Sequence, residues 1–234
     1  MRLTLLEMVQ RILSSLDSDA VNTIGETIES TQVAEIVRDT YFALIALRDW
    51  PFLNELTAFD AVGDSTQATE MTIPADINKI HWVRYNKQLV TYMPPAEFKA
   101  MIDSRTWGEN DVDDYGYITT RDPKYWTSYD ETTAIFDAYD SSADSWLMQA
   151  KSSVYANMTP SWSHADDFYP TLPNKMFATL LADAKSTAFI ELKQTPNQKQ
   201  EAIARKGKIR FQNEATRNEA AETRTHTKVN YGRK

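Results

Sequence analysis

The sequence predicts a mainly α chain with a β insertion (α+β). An α-helical bundle forms the body, a small antiparallel sheet is inserted into it, and a long C-terminal helix runs out into an extended arm. Three observations predict this. Helical apolar periodicity runs through residues 4–53 and again through 173–195. Short alternating apolar runs fill the stretch between, and residues 196–234 lose most large apolar side chains while gaining basic ones. The helical body is assigned to residues 1–55 and 170–195, the β-rich insertion to 56–169, and the basic helix and arm to 196–234. At 234 residues the chain is long enough to bury a sizeable core.

The first helix is marked at its start by Thr4 and Glu7, a T-x-x-E capping box. Leu5, Val9, Ile12 or Leu13, and Leu16 then recur at helical spacing until Asp17-Ser18-Asp19 stops them. A second helix from about Thr27 to Trp50 places Val33, Ile36, Val37, Tyr41, Leu44 and Leu47 on one face, and Trp50-Pro51 ends it. The two should form an αα-hairpin, with Val33, Val37, Tyr41 and Leu44 packed against Leu5, Val9, Leu13 and Leu16.

Beyond Pro51 the period changes to alternation over Leu56 to Val62, Ala68 to Ile73, Lys79 to Tyr85 and Gln88 to Met93. Gly63-Asp64-Ser65 and Asn86-Lys87 serve as turns, so two successive hairpins are expected. Pro94-Pro95 opens a short helix, Ala96 to Asp103, whose Phe98, Met101 and Ile102 should face inward. Ser104 to Pro123 reads as an acidic loop, and strands resume at Tyr125 to Tyr129, Thr133 to Tyr139 and Trp146 to Ala156. Pro173 fits the first turn of another helix, striped by Met176, Phe177, Leu180, Leu181, Ala184, Ala188 and Leu192 until Thr195-Pro196, which should pack on the N-terminal hairpin. A last helix, about Asn197 to Glu222, has only Ile203, Ile209 and Phe211 as large apolar residues and needs a partner to persist. Thr223 to Lys234 carries no core-forming pattern.

Composition excludes several function classes. There are no cysteines, so a disulfide framework, a thiolate zinc site and a thiol nucleophile are out. Glu7, Gln10 and Arg11 interrupt any signal-peptide core, and no stretch approaches the roughly 20 apolar residues that span a bilayer; a soluble protein without membrane contact is expected. Residues 196–234 hold ten Lys or Arg against four Asp or Glu, whereas residues 1–195 hold 15 against 29. An acidic body with a basic arm points to docking on an acidic partner or neighbouring subunit. The contact residues expected there are Arg205, Lys208, Arg210, Phe211, Arg217, Arg224, Lys228, Tyr231 and Arg233.

Chemistry is thin. His81, His164 and His226 occur in no ligand spacing; His164 with Asp166 and Asp167 is the best metal candidate, against a plain surface loop. Asp111 to Asp122 partly mimics a calcium loop, with acids at positions one and three and Gly116 at six, but Tyr115 at five and Asp122 at twelve depart from it. No nucleophile elbow, Walker loop or dinucleotide fingerprint occurs. The aromatics Trp107, Tyr115, Tyr117, Tyr125, Trp126, Tyr129, Trp162, Phe168 and Tyr169 lack interleaved basic residues and fit core or interface better than a nucleic-acid platform. No catalytic residue, metal or cofactor is assigned, and the chain reads as a non-enzyme.

The ordered markers Leu16-Asp17-Ser18-Asp19, Val21-Asn22-x-Ile24, Gln32-Val33-Ala34-x-Ile36-Val37, Asp39-Thr40-Tyr41 and Arg48-Asp49-Trp50-Pro51 resemble the opening of head-to-tail adaptor (connector, tail accessory) proteins of short-tailed bacteriophages. The resemblance covers roughly the first fifty residues and is architectural beyond them. It implies a structural virion protein at the portal vertex between capsid and tail, assembled in the host cytoplasm. It also implies a ring of about twelve copies with heterologous interfaces, docked under the portal protein. The ring would continue the DNA channel without specific DNA binding and carry the tail or nozzle proteins. Two rival readings are a nucleic-acid-binding protein using the basic arm, and a virion-associated cell-wall hydrolase.

Overall fold

A computed structural model describes residues 2–62, 64–105, 111–140 and 152–226, with side chains to residue 217 except that of residue 65. The chain forms two compact units, Met1–Phe52 with Pro160–Lys234, and Leu53–Thr159.

In the first unit, helix α1 (Leu5–Ser15) begins at the capping box: Thr4 Oγ1 accepts from the Glu7 amide at 3.1 Å and Glu7 Oε2 accepts from the Thr4 amide at 3.0 Å. Helix α2 (Ile28–Ile45) has a second reciprocal cap, between Thr27 and Ser30. Leu5, Val9, Leu13, Val33, Val37 and Tyr41 are buried along the α1–α2 seam. The second helix stops five residues short of Trp50 because the Trp50 indole N–H turns back onto the carbonyls of Leu44 (3.2 Å) and Ile45 (3.1 Å), replacing the next helical donors. Leu47, expected on the buried face, therefore lies past the helix and is 42% exposed. Helix α3 (Pro95–Asp103) belongs to the second unit and buries Phe98 and Ile102, while Met101 is only half-buried. Helix α4 (Phe177–Lys193) packs on both α1 and α2, and helix α5 (Gln198–His226) packs on α4.

The expectation of a helical-bundle body carrying a small antiparallel sheet is overturned. The second unit is an eight-stranded mixed sheet that curls on itself and encloses a core of its own. Its strands are β1 (Asn54–Thr57), β2 (Asp60–Ala61), β3 (Glu70–Thr72), β4 (Ile77–Tyr85), β5 (Gln88–Tyr92), β6 (Tyr125–Thr127), β7 (Thr133–Phe136) and β8 (Ser152–Met158), in the order β1-β8-β4-β5-β6-β7-β3-β2. The run read as one strand from Leu56 to Val62 breaks at Phe59: β1 pairs with β8, and β2 pairs with β3. The two edges of the sheet are thus the halves of one bent segment, three peptide links or about 11 Å apart at most, which forces the sheet to curl. Phe59 plugs the corner, fully buried, with its ring 6.0 Å from Trp126 and 6.4 Å from Phe136.

The β4–β5 hairpin turns through Asn86 and Lys87, both at positive φ (45° and 69°), the geometry that matches strand twist in a two-residue turn. The β5–β6 pair is parallel, Thr91 opposite Tyr125, with α3 in the crossover between them. Alternation on β4, β5, β7 and β8 sends Val83, Tyr85, Val90, Ala134, Phe136, Val154 and Ala156 inward. The segment expected as loop from Ser104 to Pro123 is stitched to the sheet by isolated bridges, Ile118 to Ala138 and Thr120 to Asp140. The first part of the strand expected at Trp146 to Ala156 lies outside the described residues, as does Trp107.

Candidate functional site

The C-terminal helix is the element whose sequence most needs explaining, and the fold gives it two dissimilar faces. Its inner face is made mostly of small residues. Ala204, Phe211 and Ala215 are buried along α4, and Gly207 lies in the same seam. A Cβ added to Gly207 would lie 2.2 Å from Thr179 Oγ1 and 2.7 Å from Thr179 Cγ2, so the backbones of α4 and α5 meet more closely than any larger residue permits. Ile203 and Ile209, taken from the sequence as the apolar stripe, are instead 44% and 49% exposed.

Polar contacts hold that seam at both ends. Lys208 pairs with Asp183 at 2.6 Å, and Lys175 pairs with Glu214. The Lys175 hydrogen bond, reinforced by the charges of Lys175, Arg210 and Arg217, holds the Glu214 carboxyl below its usual range. From the end of α2, the Arg48 guanidinium donates to the Gln212 carbonyl (3.1 Å) and Thr216 Oγ1 (3.2 Å). Trp50, Phe52, Pro173, Met176, Phe211 and Ala215 line a cavity of about 180 Å³ under the helix, and Trp50 and Phe52 stack at 5.8 Å. The Arg48-Asp49-Trp50-Pro51 marker is therefore a junction: its arginine ties down α5, its tryptophan caps α2, and its proline starts the next turn.

Of the contact residues expected from sequence, Phe211 is a seam residue at 6% exposure and Lys208 is committed to Asp183. Arg205, Arg210 and Arg217 are exposed. The side chain of Arg224, and Lys228, Tyr231 and Arg233, lie outside the described residues. Lys199 and Lys206, not selected from sequence, are exposed on the same helix as Arg210 and Arg217.

Elsewhere, sequence reasoning missed an elaborate polar group among the described residues. Asp137 is fully buried in the second unit. Its Oδ2 accepts from Arg105 (3.0 Å) and Arg121 (2.8 Å), and its Oδ1 accepts from the amides of Lys124 and Tyr125, both at 2.8 Å. Arg105 also donates to the carbonyls of Asp137 (2.7 Å) and Gly116 (3.0 Å). With four donors on two oxygens the carboxylate is saturated, so it is a clamp on the 111–124 loop and not a base. Gly116, at φ 90°, presses that loop onto α3, where a Cβ would meet Ile102 at 2.8 Å.

In the calcium-like loop Asp113 Oδ1 accepts from the amides of Tyr115 (3.0 Å) and Tyr117 (2.8 Å), and Asp122 Oδ2 accepts from the Asn86 side-chain amide outside the loop at 2.8 Å. His164 faces Glu35 at 3.4 Å, and Asp166 caps the Ile24 amide at 2.8 Å. His81 is exposed, with Nε2 3.2 Å from Asn54 Oδ1. Trp126, one of the aromatics assigned from sequence to core or interface, is 6% exposed. Among the described residues no three His, Asp or Glu side chains converge as a metal would require, and no helix is long and apolar enough to cross a membrane. No protein-family model matches the chain, and no curated protein matches it.

Proposed function

We propose that this chain is a ring-forming head-to-tail adaptor of a short-tailed bacteriophage. It docks beneath the portal protein, continues the DNA channel and offers the platform on which tail or nozzle proteins assemble. The observation that carries the reading is the ordered series of markers in residues 16–51. Those markers are also the hairpin's working parts. Ser18 donates to Glu29 at 2.6 Å, Tyr41 fills the seam, and Arg48 and Trp50 join the hairpin to α5. A long, polar, basic helix held on a frame whose sequence is acidic agrees with an assembly protein, because such a helix gains stability from a charged neighbour more than from a core. Acidic residues over the rest of the chain agree with a channel to which DNA does not adhere.

The test is co-sedimentation of the purified chain with portal rings of the phage that encodes it. About twelve copies per portal ring are expected, with binding weakened when residues 223–234 are removed. Absence of binding to portal rings at low salt would refute the reading. Salt-dependent retention of duplex DNA without portal affinity would instead favour the nucleic-acid-binding alternative.

A further inference from the structure

Helix α5 carries an outward face as ordered as its inner one. Lys199, Lys206, Arg210 and Arg217 are spaced by seven, four and seven residues, which places them within about 40° of arc on a 100° helix. All four are exposed, and none makes an ion pair with the described residues. They lie on the side away from the Ala204–Phe211–Ala215 seam. Glu214 borders this stripe, where it is paired with Lys175 and also feels the charges of Arg210 and Arg217. Ile203 and Ile209 flank the stripe, half in solvent, and add an apolar margin to the charges.

An acidic counterpart lies within the same unit. Between Arg11 and Arg38 the chain has five carboxylates, Asp17, Asp19, Glu26, Glu29 and Glu35, and no Lys, Arg or His. Most of them sit on the α1–α2 loop, which is braced internally. Glu26 accepts from the Asn22 amide at 2.6 Å, Glu29 accepts from the Ser18 hydroxyl at 2.6 Å, and Asp17 turns the chain at φ 55°. Asp17 and Asp19 are exposed where the loop leaves α1. Helix α4 contacts the α1–α2 hairpin on one flank and α5 on the other, with Lys185 reaching Ser15 of α1 at 2.6 Å and Asp183 reaching Lys208 of α5. The basic stripe and the acidic loop therefore belong to opposite flanks of α4, and no ion pair joins them among the described residues.

We propose that the basic face of α5 docks on the acidic α1–α2 loop of a second copy of this chain. Opposite charge on opposite flanks makes the contact heterologous, each copy offering one sign and receiving the other, and a contact of this kind closes into a ring when its rotation divides a full turn. Complementary fields steer the approach and fix its register. This rests on the ring-forming reading above and assigns its lateral interface.

Two charge-reversed proteins test it: K199E/K206E/R210E/R217E, and D17K/D19K, which leaves the loop-bracing Glu26 and Glu29 in place. Circular dichroism confirms that each is folded. Self-association is measured by sedimentation velocity, free and on portal rings, at about 50 mM and about 500 mM salt. Each reversed protein alone should associate at least about 100-fold more weakly than wild type, and an equimolar mixture should recover to within about tenfold, because the mixture restores opposite signs at every contact. Unchanged association in either variant, or a mixture no better than its components, overturns the assignment. So does loss of DNA retention in the α5 variant with self-association intact. Wild-type chain that binds portal rings but never self-associates sinks this interface and leaves the adaptor reading standing; self-association through this face without portal affinity does the reverse.

Discussion

Replacing Gly207 by Ala sets two effects of opposite sign against each other. In an exposed helix the change is favourable by about 1 kcal/mol, because glycine has more backbone freedom to lose. Here the new methyl would sit 2.2 Å from Thr179 Oγ1, 2.7 Å from Cγ2 and 3.0 Å from Cβ. Thr179 cannot swing clear. Its two γ atoms occupy the two staggered positions that face Gly207, and any rotamer of a β-branched side chain leaves at least one of them filled. The helices must part by roughly 1 Å to reach ordinary contact, which loosens the Phe211 and Ala215 contacts along the seam. Overpacking of this kind costs about 1–3 kcal/mol, so the net expectation is a loss of about 0–2 kcal/mol once the propensity gain is subtracted. Thr179→Ala in the same chain should recover most of it, giving a favourable coupling of at least about 1 kcal/mol across the double-mutant cycle. The assay is chemical denaturation of all four proteins, with hydrogen exchange of the α5 amides to localise the effect. A Gly207→Ala protein more stable than wild type by the full propensity gain would refute the close approach of α4 and α5.

Two further outcomes are expected. Asp137→Ala strands the Arg105 and Arg121 guanidinium groups and two backbone amides, and should cost about 3–5 kcal/mol. Faster hydrogen exchange across residues 111–125 should accompany it, and wild-type thermal stability would show that the clamp is dispensable. Burial pushes the Tyr41 hydroxyl up to about 12, and burial with the Asp122 and Asp140 carboxylates does the same to Tyr85. Both shifts favour the neutral phenol in the folded state, so their contribution is intact below about pH 10 and is lost as pH rises through the folded value. Tyr41→Phe, which removes only a 3.4 Å bond to the Thr171 carbonyl, should flatten that alkaline loss. Identical pH profiles for the two proteins would contradict it.

What could be read from the residues was whatever the chain settles locally. The Thr4–Glu7 box and the Asn86-Lys87 turn depend on neighbours a few positions away and stand where their patterns placed them, whereas α4 begins at Phe177, four residues after the Pro173 expected in its first turn, and leaves Leu181 and Leu192 half-buried. The early end of α2 was not readable, because it follows from an indole folding back five or six residues, a contact that no propensity encodes. The sheet was underestimated for a related reason. Its hairpins are local, but the pairs that unite them, β1 with β8 and β5 with β6, join residues far apart in sequence. Asp137 likewise gathers Arg105 and Arg121 from different segments. On α5 the search for large apolar residues looked at the wrong face, since two helices in close approach are matched by Ala204, Gly207 and Ala215. The glycine was the readable clue: one Gly inside a helix of 29 residues has a packing reason more often than not.

The bent segment from Asn54 to Ala61 has a further consequence for the proposed ring. A β-sheet ordinarily ends in two rows of unpaired amides and carbonyls, each able to recruit a strand from another molecule. Here both borders are made from the same stretch of chain, four residues long on one side and two on the other, and a buried phenylalanine pins the corner between them. Neither border is long enough to template a foreign strand well. In the proposed ring, copies would recognise one another through side chains and helix faces, while backbone-to-backbone polymerisation, a hazard of concentrating a β-rich molecule, has almost nowhere to begin.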